Sequence, residues 1–287
     1  METASLLAIL SGTCWAVNIT IVKWALNRTQ ASPLIGATVG VSIAAVVALI
    51  VAVLSGSNFP GVDVLWKFAI VGIIAPGSSQ GLFVSSIGAI GPSRTSILIG
   101  TSPVLSVLLA IAFLNESWET AIMVGTFLTV LGGAMISWEK GTHFRHLGIV
   151  FALATALSFA VRDVVARHFN IGTDTSSWWS GAVVLVAAAI TLWFFVAIKF
   201  RGDWKNPTKT AFPEFIPSGV MIGLALPVLL EALNKGTVNL VAPLALASQN
   251  IAIILLGGWL FGSRERSSRV VVAMVLIIVG GAVVTIA

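Results

Sequence analysis

Apolar residues run along this chain in long blocks, without the two-residue alternation of strands. Ten blocks have helix length: 4–26, 33–54, 64–88, 92–113, 118–137, 147–168, 177–199, 214–234, 238–261 and 268–287. A helix crosses a bilayer core in about 20 residues, whereas a barrel strand needs about 10 with alternating polarity. The pattern predicts an all-α integral membrane protein with ten transmembrane helices. Most connections are short. The longest, "KFRGDWKNPTKTAFPEF" from Lys199 to Phe215, holds two prolines and mixed charge, and is expected to be an interfacial loop or a short surface helix.

The blocks repeat. With Trp15 set against Phe159, "WAVNITIVK" lies over "FAVRDVVAR", pairing Lys23 with Arg167. "LGGAMI" from Leu131 matches "VGGAVV" from Val279, and "FLNES" from Phe113 sits over "FGSRE" from Phe261. The expected organisation is a first five-helix repeat at 1–138, a connecting loop at 139–146 and a second repeat at 147–287. An odd number of spans makes the second copy enter from the opposite side. Inverted repeats of this kind mark secondary transporters, with the substrate site near the midplane between the halves.

Composition agrees with the pattern. Charged residues make up 9% of the chain and hydrophobic ones 57%, with a mean hydropathy of +1.02; an ordinary soluble domain carries about 25% charge. The net charge of +5 does not point to nucleic acid, because the basic residues sit at the ends of apolar blocks. Cys14, the single cysteine, excludes an intrachain disulfide and a cysteine-rich metal site. The first block has no basic n-region and no small-residue cleavage site, so it reads as a retained span rather than a signal peptide. His143 and His146 lack a nearby carboxylate set, and no metal or cofactor is expected. No nucleotide-binding loop appears, which argues against ATP-driven transport by this chain.

Ten spans in two halves, "GPSRTSILIGTSPVLSVLLAIAFLNES" (91–117) and the following "VGTFLTVLGGAMI" resemble the EamA-type branch of the drug/metabolite transporter superfamily. Pro103 and Glu116 match that family's mid-helix proline and the glutamate just past the fourth helix. In the second half Glu265 fits, but the proline is displaced to Pro243, with Gln249 and Asn250 near its expected place. The resemblance implies a basket of spans one to four and six to nine around a central cavity, with spans five and ten at the periphery. It also implies a small-molecule cargo such as an amino acid, and a bacterial inner-membrane location. Spans five and ten carry Gly-Gly pairs suited to close helix contact and read as structural. The expected partners are this cargo and membrane lipid, with the chain a monomer or a weak homo-oligomer.

Candidate substrate contacts are the polar groups inside the blocks: Trp15, Asn18, Ser79, Gln80, Ser158, Arg162, Gln249 and Asn250. Serines and amides in such helices also bond their own backbone or a neighbouring helix. Pro76, Pro103, Pro227 and Pro243 are candidate hinges, since proline removes a backbone bond. Arg162, Asp163 and Glu231 are the charges to explain. Arg162 lies 15 residues after Leu147, and Glu231 lies 16 after Phe215 on the same side, so both sit about 23 Å along their helices. One expectation is that Arg162 faces the cavity and binds a substrate carboxylate or pairs with Glu231 as a gate, with Glu231 the candidate proton carrier. The other is that all three reach for headgroups, with Glu231 paired to Lys235 one turn on.

The leading function is export of small metabolites, amino acids foremost, by alternating access; the alternative is a multidrug or lipophilic-cation exporter. An intramembrane enzyme or a receptor lacks any supporting motif. Orientation divides two arguments. The side with both termini receives Lys67, Arg167 and Lys235, and the other receives Lys23, Arg28, Arg94, Lys140, Arg145, Lys199, Arg201, Lys205, Lys209, Arg264, Arg266 and Arg269. The positive-inside rule then puts the termini outside, whereas the family resemblance puts them inside; the charge count is preferred.

Overall fold

The computed structural model describes residues 2–29, 31–90, 98–137, 146–170, 175–201, 205–261 and 268–286. Within them the helices are α1 (Glu2–Thr29), α2 (Pro33–Leu54), α3 (Val62–Gly72), α4 (Ser79–Ile90), α5 (Ser102–Leu114), α6 (Thr120–Ser137), α7 (His146–Asn170), α8 (Ser177–Phe200), α9 (Lys205–Lys235), α10 (Val238–Phe261) and α11 (Ser268–Ile286). No strand occurs among the described residues. By length and composition α1, α2, α7, α8 and α9 can each cross a membrane, and α5, α6, α10 and α11 contain shorter apolar stretches. The protein is integral to the membrane. Glu265, His143 and most of the 139–146 connection lie outside the described residues.

Two expected spans are interrupted. The third is α3, a wide turn at Ile73–Ser78 and α4, with Ala75 extended at φ −154°, ψ 127°. Pro76 supplies the cause, having no N–H to donate and restricting the residue before it. The turn closes on itself through Ser78, whose hydroxyl donates to the Ile73 carbonyl at 2.7 Å. The fourth span breaks ahead of Pro103, which stands in the first turn of α5 rather than inside a continuous helix. Pro227 and Pro243, by contrast, lie within α9 and α10.

The predicted interfacial loop is corrected. Residues 205–213 belong to α9, which therefore starts well before residue 214. Packing explains this: Ala211 and Phe215 are fully buried against Ala25, Ile35 and Val39 of α1 and α2. Burial on that scale, about 2–3 kcal/mol for a phenylalanine, outweighs the loop signal of the prolines.

Contacts between helices close a ring: α1 packs on α10, α10 on α5, α5 on α7, α7 on α4, the α3–α4 span on α8, α8 on α2, α2 on α9, and α9 on α1. The neighbour order is unchanged when the two halves are exchanged. α6 and α11 pair with each other outside the ring and join it mainly through α10. Their contact is made by glycine: a Cβ on Gly125 would stand 2.6 Å from the Gly280 carbonyl oxygen, and one on Gly280 2.5 Å from that of Gly125. Gly12 of α1 likewise lies directly on the Ala245 carbonyl of α10. On one end of the ring Arg28 pairs with Glu214 at 3.1 Å, tying α1 to α9.

Candidate functional site

The α4–α7 pair fixes depth. Gly148 lies against Ala89 and Ile90, while Phe169 meets Phe68 edge-on at 6.4 Å near the other end. The two spans therefore run antiparallel, and the 22 residues from Phe68 to Ile90 match the 21 from Gly148 to Phe169. Halfway between these anchors Ser79 falls level with Ser158 and Phe159, and the Pro76 break falls level with Arg162. The broken backbone and the intramembrane charges share one depth.

Arg162 and Asp163 are a pair with each other. Arg162 donates through Nε at 3.0 Å and Nη2 at 2.8 Å, both to Asp163 Oδ1. The second carboxylate oxygen accepts from Ser106 of α5 at 3.3 Å, and the guanidinium carbon sits 5.1 Å from the Phe159 ring centroid. Side-chain exposure is 11% for Arg162 and 8% for Asp163, so neither reaches toward headgroups. Two charge-assisted bonds converging on one oxygen offset part of the desolvation cost that such burial imposes. Two of the guanidinium's five N–H groups are spent on Asp163.

The expected Arg162–Glu231 meeting does not occur. Glu231 instead accepts from Ser177 at 2.6 Å and pairs with Lys235 at 3.2 Å, four residues on. The reason is local geometry: both carboxylates find a partner on their own helix or the next one without spanning the ring.

Other candidates divide by what they touch. Asn18 is buried and accepts from Ser218 of α9 at 2.7 Å; it joins helices, as Ser11 does through the Ala225 carbonyl at 2.9 Å. Asn250 lies against Gly133 of α6, on the side of the peripheral pair. Ser158 donates to the Ala154 carbonyl of its own helix at 2.8 Å. Ser79 is fully buried, and its hydroxyl has no hydrogen-bond partner. Trp15 packs against the main apolar cluster, and Gln80 and Gln249 are half-buried.

Several contacts join partners that the sequence did not pair. Glu116 accepts from the backbone N–H of Val238 at 3.0 Å and of Asn239 at 3.1 Å. Arg167 donates to the carbonyls of Leu233 at 2.7 Å and Asn234 at 2.9 Å. Trp193 donates to Ser42 at 3.0 Å and Trp179 to the Ser57 carbonyl at 3.0 Å, joining α8 to α2 and to the turn after it. The hints were the match of Glu116 to the family's glutamate and the alignment of Arg167 with Lys23.

The arrangement is that of a helical bundle with a buried charge pair at the depth of a helix break. A solved crystal structure superposes with a TM-score of 0.81 at 19% identity, covering 100% of this chain and 97% of that one; the fold is shared. A probable terminal-alkyne amino-acid exporter of Streptantibioticus cattleyicolor is 27% identical over 86% of each chain. The glucose-6-phosphate/phosphate translocator 1 of Arabidopsis thaliana chloroplasts is 20% identical over 73% of this chain, which spans 56% of that protein. Residues 2–138 match the model of the EamA-like transporter family. That stretch is thus an EamA-like transporter family domain.

Proposed function

We propose that the protein exports small metabolites, amino acids foremost, by alternating access through a cavity inside the eight-helix ring. The halves 1–138 and 147–287 act as inverted repeats around it. The observation that carries this reading is the Arg162–Asp163 pair, buried at the depth of the Pro76 break. An amino acid brings a carboxylate and an ammonium into a site that already holds one charge of each sign. Its carboxylate competes with Asp163 for the Arg162 fork, and the broken backbone beside Ser79 and Gln80 supplies neutral partners. Trp15, Ser158 and Gln249 complete the proposed lining. Asn18 and Asn250 are assigned to helix contacts, and Glu231 to the end of the ring. Pro76 and Pro103, which stand at breaks, are the proposed hinges. The similarity to an amino-acid exporter supports the substrate class, and the sugar-phosphate translocator supports an anionic group on Arg162.

The test is flux of labelled amino acids in proteoliposomes. Arg162→Ala, and Arg162→Gln as a version that refills the volume, should each lower flux about 10- to 150-fold, as expected for one lost charge-assisted contact of about 1.5–3 kcal/mol. Normal amino-acid flux in both variants sinks the proposal. Flux of lipophilic cations that ignores Arg162 and vanishes with Asp163→Asn would replace it with multidrug export.

A further inference from the structure

The turn between α9 and α10 is gripped from two sides by residues that the substrate reading leaves unused. On one side stands Glu116, just after Asn115, whose left-handed φ of 54° ends α5. Its two oxygens take the N–H groups of Val238 and Asn239, the first of α10, which have no partner inside that helix. A carboxylate there also meets the positive end of the helix dipole. The Asn239 side chain returns a bond to the Ser117 carbonyl at 3.1 Å.

On the other side Arg167 binds the carbonyls of Leu233 and Asn234, and Asn170 donates to that of Leu230 at 3.2 Å. These belong to the last turns of α9, whose closing carbonyls lack partners and form the negative end of its dipole. α5 and α7, neighbours in the ring, thus hold one end of each of two consecutive helices. The Glu231–Lys235 and Glu231–Ser177 contacts lie at the same end.

The grip is incomplete. Arg167 Nε and Asn239 Oδ1 are buried with no hydrogen-bond partner within the protein. A buried polar atom without a partner raises the free energy of the arrangement that buries it. Opening this end would expose both atoms to water, which offsets part of the cost of breaking the grip.

We propose that Glu116 and Arg167 form a releasable latch closing the end of the ring that bears the α9–α10 turn, and that each transport cycle draws the turn out of it. Both are positioning residues, acting through backbone groups of α9 and α10. The proposal rests on the transporter reading but not on the identity of the cargo.

Two measurements test it, both in a Cys14→Ser background, since Cys14 is the single native thiol. Nitroxide labels on Ser117→Cys and Thr237→Cys, both exposed, report the distance across the latch by pulsed electron resonance. With Glu116 present the short distance should dominate. Glu116→Ala should raise a longer population at least about 3-fold, with Glu116→Gln, which keeps one acceptor, in between. Identical distributions in all three overturn the latch. A cross-link through two disulfides, made between the same two cysteines by a bis-thiosulfonate reagent that leaves as sulfinate, should stop flux, and reductant should restore it; unimpeded flux through linked protein also overturns the latch. The distances need no substrate. A failure of amino-acid specificity would therefore show in the Arg162 variants and leave them unchanged.

Discussion

Adjacent glycines in α11 should respond oppositely to the same substitution. In Gly280→Ala the new Cβ would stand 2.5 Å from the Gly125 carbonyl oxygen, 2.6 Å from Thr129 Oγ1 and 2.8 Å from the Thr129 backbone nitrogen. Two of those atoms are backbone and cannot rotate aside, so α6 and α11 must separate. In Gly281→Ala the nearest atom is the Ala247 methyl at 3.2 Å, followed by Leu244 at 4.0 Å, which a small side-chain adjustment accommodates. Overpacking costs about 1–3 kcal/mol. Both variants share the helix-propensity gain of about 1 kcal/mol for replacing glycine by alanine, so it cancels in the comparison. Gly280→Ala should thus be about 1–3 kcal/mol less stable than Gly281→Ala, a factor of roughly five to 150 in the unfolding equilibrium. Titration with dodecyl sulfate in mixed micelles, followed by tryptophan fluorescence, reads this difference. Equal midpoints, or a less stable Gly281→Ala, would refute the view that backbone contact between these glycines holds the peripheral pair. Since α6 and α11 lie outside the ring, transport by the folded fraction should be unchanged.

Ser218→Ala strands the buried Asn18 carbonyl oxygen and should cost about 1–3 kcal/mol in the same titration, leaving substrate affinity intact; a changed KM would return Asn18 to the site. Pro76→Ala should slow turnover more than it weakens binding, because the break at Ala75 becomes easier to heal into helix, and equal losses in both would mark simple damage to the fold. A phosphatase fused after Ala287 should be active outside the cytoplasm, as the positive-inside rule requires. Fluorescence from a cytoplasm-only fluorophore at that position would reverse the orientation.

How much of this was legible in the sequence follows from the range of each interaction. The spans show because hydrocarbon imposes the same demand on every residue of a block. The glycine pairs of α6 and α11 show because close backbone approach leaves few residue choices. The extension of α9 back to Lys205 did not, since Ala211 and Phe215 acquire their packing only once α1 and α2 are in place. The depth of Arg162 was readable by counting, but its partner was not. Depth permits Glu231, and only the rotation of α7 against α5 selects Asp163 and Ser106. Glu116 stood out as a residue type at a position. That it binds the start of a helix more than 120 residues later depends on ring closure, which no local pattern encodes.

The order of helices around the ring has a consequence for what counts as a unit in this protein. Nearly all the extensive packing of α1 and α2 is on helices of the second half, and α6 leans chiefly on α11. Within the first half, α1 barely meets α2, and the α3–α4 span contacts the second half more than its own. The stretch that sequence comparison recognises, residues 2–138, is thus an interlaced strand of the architecture rather than a body with a core of its own. Each half serves as the other's solvent-excluding partner, as subunits do in an obligate dimer, so a family match confined to residues 2–138 does not mark out a piece that folds alone.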